Sequence, residues 1–348
     1  NNINAIRKVI IPSLWPTITA GMALVIFETV ADFGGVSTLR VETFTVGIYD
    51  AWFGYQSYFS AARLAGYLLI FVFLIMLIMK YFGAKSNNLA SKTAEKFQKI
   101  ETSTFNKVIM SIICSIIFAL VFCLPTSQLI IWYLSDSALN IFSNLQLLIN
   151  STFVGVFASC VTVFFAMSLA LSFRQLNSLK PLIIISTSGY AIPGSVISAG
   201  LLIGFDFLFD TSITFYGIFG LIICLALRFM TPAFNYISTS LLNISKSAEH
   251  ALATQPSNPL KAFSYFYLPQ MKPAIYLSLM LVFIESVKEQ PATLLLRPLG
   301  FDTLSTKIYN YTSEGQWEMA AGPSLFLVAI SLIFVYVINK NIDISESK

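Results

Sequence analysis

Four carboxylates stand out because each lies near the end of a long apolar run. Glu28 and Asp32 follow one run, Glu285 and Glu289 follow another, and the members of each pair are four residues apart. This spacing places both members of a pair on one face of a helix. Carboxylates inside a bilayer are costly and are functional candidates by default. We predict that these four residues, with Lys288, line a translocation path; alternatively, they bond to Lys288 or to loop backbone and only hold a gate in place.

Residues for covalent chemistry are scarce. His250 is the only histidine. The cysteines stand apart in apolar runs without Cys-x-x-Cys spacing, which is typical of packing rather than of a disulfide or metal site; they are Cys114, Cys123, Cys160 and Cys224. The phosphate-binding pattern GxxxxGK[ST] is absent, and the nearest string, Gly83–Ser86, lacks the spacing. We therefore expect neither an enzyme nor a resident cofactor.

The composition indicates a membrane protein. Of 348 residues, 56% are hydrophobic and 11% are charged, and the mean hydropathy is +0.75. A soluble domain of this size needs more charge to cover its surface. Because a span needs about 20 mostly apolar residues, we predict an all-α, polytopic transmembrane helix bundle with about eight spans. They lie near residues 13–31, 59–79, 108–131, 148–172, 181–203, 213–230, 272–288 and 320–338.

The basic residues indicate the orientation of the chain. With a cytoplasmic N-terminus, 16 of the 21 lysines and arginines fall in cytoplasmic connections, Arg228 among them, and 5 fall outside. This asymmetry follows the positive-inside rule and predicts that both ends are cytoplasmic. The polar, lysine-rich stretch 81–107 is expected to be a cytoplasmic linker, either plainly solvated or with an amphipathic helix on the inner leaflet.

The two ends of the chain resemble each other. The matching pairs are Pro12 with Pro269, Pro16 with Pro273, Glu28 with Glu285, Asp32 with Glu289, residues 42–49 with 302–309, and Ala61 with Ala320. Transporters often consist of parallel repeats with the pathway at their interface. We predict the C-terminal part of a first permease repeat at 1–80, the linker at 81–107 and a second repeat at 108–340. About four or more further spans of the first repeat are then expected to precede residue 1.

One segment resembles the cytoplasmic coupling loop of permease subunits in binding-protein-dependent ABC importers. The pattern of that loop is EAA, three residues, Gly, nine residues and I-x-L-P. The residues that align with it or adjoin it are Glu249, His250, Ala251, Pro256, Leu268 and Pro269. His250 stands at the usual glutamate and Pro256 at the usual glycine, so this copy is degenerate. The resemblance assigns these residues to an ATPase contact.

Two further stretches resemble the fused, two-repeat (FbpB-like) permeases of ferric-iron import systems. The first runs from Glu28 to Gly34 and continues at 43–53, and the second runs from Lys288 to Pro298 and continues at 300–304. That family usually has Leu or Met at the place of Gln290. The resemblance covers nearly the whole chain and implies a MetI-like ABC permease fold in the bacterial inner membrane.

The same resemblance implies a mechanism and partners. A periplasmic binding protein would deliver iron, and two cytoplasmic ATPase subunits, which hold ATP and Mg²⁺, would drive alternating access. Ferric ion is hard and prefers oxygen ligands. Transient Fe³⁺ contact at Glu28, Asp32, Glu285 and Glu289 is therefore conceivable, although no firm metal site is expected. Membrane lipid is a partner, and nucleic acid is not.

Other functions stay open from the sequence. Related permeases carry thiamine, polyamines or phosphonates, so the substrate could be one of these. A secondary transporter driven by an ion gradient is an alternative of another class, but the few intramembrane charges form no evident proton relay. A membrane-bound enzyme is a third class, which the lack of a metal or nucleophile constellation disfavours.

Overall fold

The structure is a computed structural model that describes residues 6–84, 103–135, 141–175, 180–209, 217–245, 247–249 and 258–346. Every regular element within these ranges is helical, which confirms the all-α prediction. The central part of the predicted linker, 85–102, lies outside the described residues, as do His250, Ala251 and Pro256.

The predicted first repeat contributes two long helices with two short ones between them. They are α1 (Ile11–Ala31), α2 (Gly34–Thr38), α3 (Phe44–Tyr49) and α4 (Tyr58–Ala84). A π-helical turn, Ile6–Ile10, precedes α1, and another, Asp50–Gly54, extends α3. Since α4 continues to Ala84, its last four residues fall within the predicted linker 81–107.

The remaining helices follow in the order of the predicted second repeat. They are α5 (Thr104–Phe118), α6 (Leu124–Ser135), α7 (Ile141–Gln175), α8 (Lys180–Ser186), α9 (Gly194–Phe209), α10 (Gly217–Arg228), α11 (Met230–Leu242), α12 (Pro259–Ala262), α13 (Leu268–Lys288), α14 (Pro291–Leu296), α15 (Leu304–Ser313) and α16 (Trp317–Glu346). Short π-helical turns make α5 continuous with α6, and α12 continuous with α13. The first residues of α5, from Thr104, also fall within the predicted linker.

Five helical segments in the described residues are long and apolar enough to cross a bilayer, and two bent pairs bring the number to at most seven. The predicted span 181–203 consists of two helical arms that meet at 116° between Ala191 and Gly194, where the sequence has glycine and proline. The predicted span 213–230 is one arm of a pair, α10 and α11, that bends by 51° and continues to Leu242. The first predicted span is represented in this search by a shorter apolar helix, Gly21–Ala31, and the count of about eight is not confirmed.

The bend between α10 and α11 corrects the placement of Arg228. The sequence analysis ended a span at residue 230 and put this arginine in a cytoplasmic connection. Arg228 instead lies at the bend, is 7% exposed, and contacts Glu289 at the far end of α13. The predicted orientation does not depend on Arg228, because the other basic residues assigned to the cytoplasmic side still outnumber those on the outer side threefold.

Helices α7, α11 and α13 pack against one another and form the centre of the second repeat. The inward face of α7 carries small residues, which let helix backbones approach closely in a membrane. Ala158 and Ala166 on this face are fully buried. A side chain at Gly155 would collide with Phe283 and Val287 of α13. Many large apolar side chains on the opposite faces are exposed, as expected for a lipid-facing surface.

The segments after α1 and after α13 have the same backbone geometry. Both helices have 21 residues and end at a carboxylate in extended conformation, with ψ 131° at Asp32 and 120° at Glu289. Positive φ recurs at Arg40 (57°) and Gly300 (79°), where the chain turns before α3 and α15. Arginine adopts this left-handed conformation only at a steric cost that glycine avoids. The internal similarity in sequence thus corresponds to a similarity in structure.

Candidate functional site

A cavity of about 450 Å³ lies between the matching segments of the two repeats, and we call it the inter-repeat cavity. All five residues that the sequence analysis proposed for a path or gate line it, and Arg228 and Gln290 line it as well. Its lining residues are Glu28, Thr29, Ala31, Asp32, Phe33, Gly34, Arg228, Glu285, Lys288, Glu289, Gln290 and Pro291. Residues 257 positions apart in sequence therefore meet at one site.

Asp32 and Glu289 occupy equivalent positions because the chain leaves the helix in the same way at both. Each backbone N–H donates to a carbonyl three residues earlier, that of Thr29 or Ser286, at 3.3 Å. Each carboxylate accepts a hydrogen bond from the short helix that follows: Asp32 from the N–H of Gly35 at 3.2 Å, and Glu289 from the backbone of Ala292. These bonds keep both carboxylates at the cavity wall.

A second hydrogen bond recurs in both copies. The hydroxyl of Thr45 donates to the carbonyl of Asp32 at 2.7 Å, and the hydroxyl of Ser305 donates to the carbonyl of Glu289 at 3.1 Å. Thr45 and Ser305 are 1% and 4% exposed. The bond ties the start of α3 or α15 to the end of the preceding long helix. Both copies therefore hold the cavity wall with the same two contacts.

The carboxylates one turn earlier have different partners. Glu28 accepts a hydrogen bond from the hydroxyl of Tyr190, at 3.3 Å, in the break between α8 and α9. Glu285 forms an ion pair with Lys288 at 2.9 Å on its own helix. Lys288 thus contacts one of the predicted carboxylates, whereas Arg297, a basic residue farther along the chain, pairs with Asp302.

Arg228 is the residue of this site that the sequence analysis missed. Its guanidinium lies 3.3 Å from Glu289, which is 6% exposed. A Cβ atom at Gly194 would collide with both charged groups, so glycine is needed where α9 begins. The available signal was an arginine between Leu227 and Phe229 in an apolar run, because such a charge inside a bilayer needs a partner.

An aromatic cluster adjoins the cavity wall. Phe33 is 1% exposed and packs against Tyr49 and Tyr309, with ring centroids 5.6 and 5.2 Å away. Tyr49 and Tyr309 are equivalent in the repeat and contact each other at 5.2 Å. Burial raises the pKa of both phenols, so they are neutral at physiological pH. The cluster joins the two repeats directly beside the carboxylates.

The described residues contain no group of three or more His, Cys, Asp or Glu side chains placed to hold a metal ion. The four carboxylates surround one cavity without converging on one point. Direct contact between them and a cation therefore stays a hypothesis from the sequence.

The described part of the predicted coupling loop lies at the opposite end of α13. Leu268 and Pro269 are exposed where this helix begins, about 30 Å from Glu289 at a rise of about 1.5 Å per residue. Glu249 accepts from Arg174 at 2.6 Å and from the hydroxyl of Tyr267 at 3.0 Å. One helix thus connects the cavity with the loop.

Arg174 also binds the end of α11. Its guanidinium donates to the carbonyls of Leu241 and Ile244, the latter at 2.7 Å. Cations are favourable at a helix C-terminus, where carbonyl groups lack partners within the helix. The arginine therefore holds the end of α11 and Glu249 together.

Comparison with known proteins indicates a transport function. No family model matches the sequence. The chain is 28% identical over 338 residues to the Fe(3+)-transport system permease protein FbpB 2 of Haemophilus influenzae, an alignment that covers 94% of this chain and 66% of that protein. It is 29% identical over 204 residues to the ferric transport system permease protein FbpB of Actinobacillus pleuropneumoniae, covering 53% of this chain and 29% of that protein.

A third relative is named for another substrate. The chain is 24% identical over 242 residues to a Salmonella typhimurium permease protein, PhnV, named for 2-aminoethylphosphonate transport, which covers 64% of this chain and 90% of that protein. The chain spans less than two thirds of the length of the two ferric relatives. All three are named as permeases and not as enzymes. The chain is thus an all-α, multi-pass membrane protein that is similar over nearly its whole length to one Fe(3+)-transport permease protein and over about half of its length to another ferric transport permease.

Proposed function

We propose that the chain forms most of the membrane permease of an ATP-driven, binding-protein-dependent importer, and that its cargo is ferric iron. The similarity to an Fe(3+)-transport permease over 94% of the chain carries this proposal. The inter-repeat cavity supports it, since four carboxylates from both repeats line its wall. Carboxylate oxygens suit a hard cation, and parallel repeats place a pathway at their interface.

The charge of the cavity favours iron over a phosphonate. Four carboxylates face two basic side chains, Arg228 and Lys288, and each of these pairs with a carboxylate. A surplus of negative charge in a medium of low dielectric constant repels an anion and attracts a cation. Uptake of 2-aminoethylphosphonate remains the second candidate because of the similarity to PhnV.

The partners follow from the same proposal. Two cytoplasmic ATPase subunits, which bind ATP and Mg²⁺, contact the loop that contains Glu249, His250, Ala251 and Pro256. A periplasmic protein delivers the cargo on the other side of the inner membrane. Motion of the ATPases reaches the cavity through α13, because the exposed start of this helix adjoins the loop and its far end carries Glu285 and Glu289. Rigid helices transmit such motions well.

Uptake of radioactive ferric iron tests the proposal. Cells without their own ferric importer would express the permease with its ATPase and binding protein. We expect iron uptake that requires ATP hydrolysis, and a loss of about tenfold or more in Glu28→Gln and Glu289→Gln, equivalent to about 1.4 kcal/mol in the transport barrier. Glu318→Gln is the matched control, because Glu318 is exposed and distant in sequence from the cavity residues.

Three results would contradict parts of the proposal. Normal uptake by correctly inserted Glu28→Gln and Glu289→Gln would remove these carboxylates from the path. Uptake of 2-aminoethylphosphonate in place of iron would favour the second candidate. Iron uptake that persists without a functional ATPase would indicate a secondary transporter.

A further inference from the structure

The Arg228–Glu289 ion pair is buried but poorly satisfied. Both side chains are less than 9% exposed, and 3.3 Å separates Nη1 of the arginine from Oε1 of the glutamate. Within the described residues, neither of these atoms makes a hydrogen bond, and Nε of Arg228 makes none either. The hydroxyl of Ser195, next to Gly194, is likewise buried without a hydrogen-bond partner there, and so is that of Ser286, whose carbonyl accepts from the N–H of Glu289.

Such a pair is a weak source of stability. Removing two charges from water costs several kcal/mol per ion, and only good geometry with additional hydrogen bonds offsets that cost. An apolar pair of similar volume would serve the packing of α10 and α13 as well or better. The pair is therefore better explained by a role that needs the charges themselves.

The position of the pair suggests this role. Arg228 lies at the 51° bend between α10 and α11, and Glu289 lies where α13 ends. Both line the inter-repeat cavity. Gly194 at the start of α9 and Gly189 before it permit close approach, because side chains there would collide with the ion pair and with the backbone of Leu227. Three helical junctions thus meet at one pair of opposite charges.

We infer that Arg228 is an internal counter-ion which neutralises Glu289 and is displaced from it by the transported cation. This inference rests on the proposed function for the nature of the cargo, a multivalent cation bound by oxygen. A cation that enters the cavity competes with the guanidinium for the same carboxylate. Departure of the guanidinium then releases the bend between α10 and α11 from α13. Arg228 is accordingly a positioning residue for affinity and release.

Competition between Arg228 and the cargo for Glu289 predicts a measurable change in the uptake kinetics of the intact importer. If Glu289 is available to cargo for about a tenth of the time, the apparent affinity is about tenfold weaker than the intrinsic one. Arg228→Met removes the competitor, so KM should fall about tenfold, and Vmax should fall as well because release is slower. Arg228→Lys keeps a positive charge and should keep KM near the wild-type value. Arg63→Met, an exposed arginine on α4, is the control.

A purely structural role of Arg228 would change the uptake kinetics in a different way. Arg228→Met would then lower Vmax in proportion to the amount of inserted protein and leave KM unchanged, which would overturn the inference. If Arg228→Met inserts poorly, the double variant Arg228→Met/Glu289→Gln removes both buried charges and should restore insertion. The double variant should nevertheless have a raised KM, and an unchanged KM would also overturn the inference.

A binding measurement separates this inference from the proposed function. The purified protein in detergent would be titrated with Ga³⁺, a trivalent cation that is not reduced, while thermal unfolding is followed. The unfolding temperature of Arg228→Met should rise at an about tenfold lower Ga³⁺ concentration than that of wild type. The unfolding temperature of Arg63→Met should rise at the same Ga³⁺ concentration as that of wild type. An equal response of Arg228→Met and wild type would overturn the inference. Failure of wild type to import iron would overturn the proposed function alone.

Discussion

At the cavity, the two carboxylate pairs are equivalent in the repeat but differ in the groups that they contact. Asp32 caps a short helix and Glu28 accepts from Tyr190, whereas Glu289 faces Arg228 and Glu285 pairs with Lys288. The basic partners thus all belong to the second repeat. A cargo cation would first meet Glu28 and Asp32, which form no ion pair in the described residues, and would have to compete with Arg228 for Glu289.

Gly194 is the residue whose size the site constrains most directly. Gly194→Ala should destabilise the protein by about 1–3 kcal/mol, because the new methyl group overlaps Glu289 and Arg228 and forces their separation. Gly200→Ala on the same helix is the control, since a Cβ there meets no atom within 4 Å. Unfolding in detergent would measure both. Equal stability of the two variants would show that the ion pair tolerates displacement.

At the scale of elements, the segments after α1 and after α13 have the same arrangement of helices and hydrogen bonds. Each long helix ends at a carboxylate, continues into a helix of five or six residues, and is tied to the next element by one hydroxyl. This arrangement supplies a rigid wall from both sides. Rigid positioning of charged groups is what a selective pathway requires.

The shared hydroxyl bond predicts equal effects in both copies. Thr45→Val and Ser305→Ala each remove one buried hydrogen bond to a carbonyl, and each should cost about 1 kcal/mol. Unfolding in detergent compares the two, with Thr29→Val, at the exposed Thr29–Val25 bond, as a control of smaller effect. A large loss in one variant with none in the other would contradict structural equivalence of the copies.

Arg174 joins two elements at the cytoplasmic end. Arg174→Met should cost about 1.5–3 kcal/mol, because charged hydrogen bonds to Glu249 and to the end of α11 are lost. The variant should also bind the ATPase less well in co-purification, since the loop loses its anchor. Lys340→Met, an exposed basic residue on α16 outside the coupling loop, should behave as wild type. Unchanged ATPase binding by Arg174→Met would show that Glu249 needs no such support.

At the scale of the whole molecule, the repeats meet at the cavity and at the aromatic cluster beside it. Tyr49 and Tyr309 are equivalent residues that touch, so the contact lies where the two copies are related to each other. The helix α13 spans from this region to the loop of Glu249. The two functional ends proposed for the chain therefore lie on opposite sides of one bundle.

Orientation can be tested by labelling single cysteines in a background without Cys114, Cys123, Cys160 and Cys224. Leu299→Cys should react with a membrane-impermeant maleimide in intact cells, because Leu299 is 94% exposed on the predicted outer side. Ser247→Cys should react only after permeabilisation, because the excess of basic residues retains its loop in the cytoplasm. The reverse pattern would invert the topology and leave no loop for an ATPase.

The sequence by itself determined the membrane class, the helical fold, the similarity between the two ends of the chain and the five carboxylate and lysine positions that line the cavity. These follow from local hydropathy and from spacing, which do not depend on tertiary contacts. The bend at Arg228 and the 116° angle at Ala191–Gly194 were decided only by the tertiary structure, because hydropathy averages over a window and does not register a change in helix direction. The pairing of Arg228 with Glu289 was decided there too, since residues 61 positions apart in sequence meet only once α10 and α13 pack around the cavity.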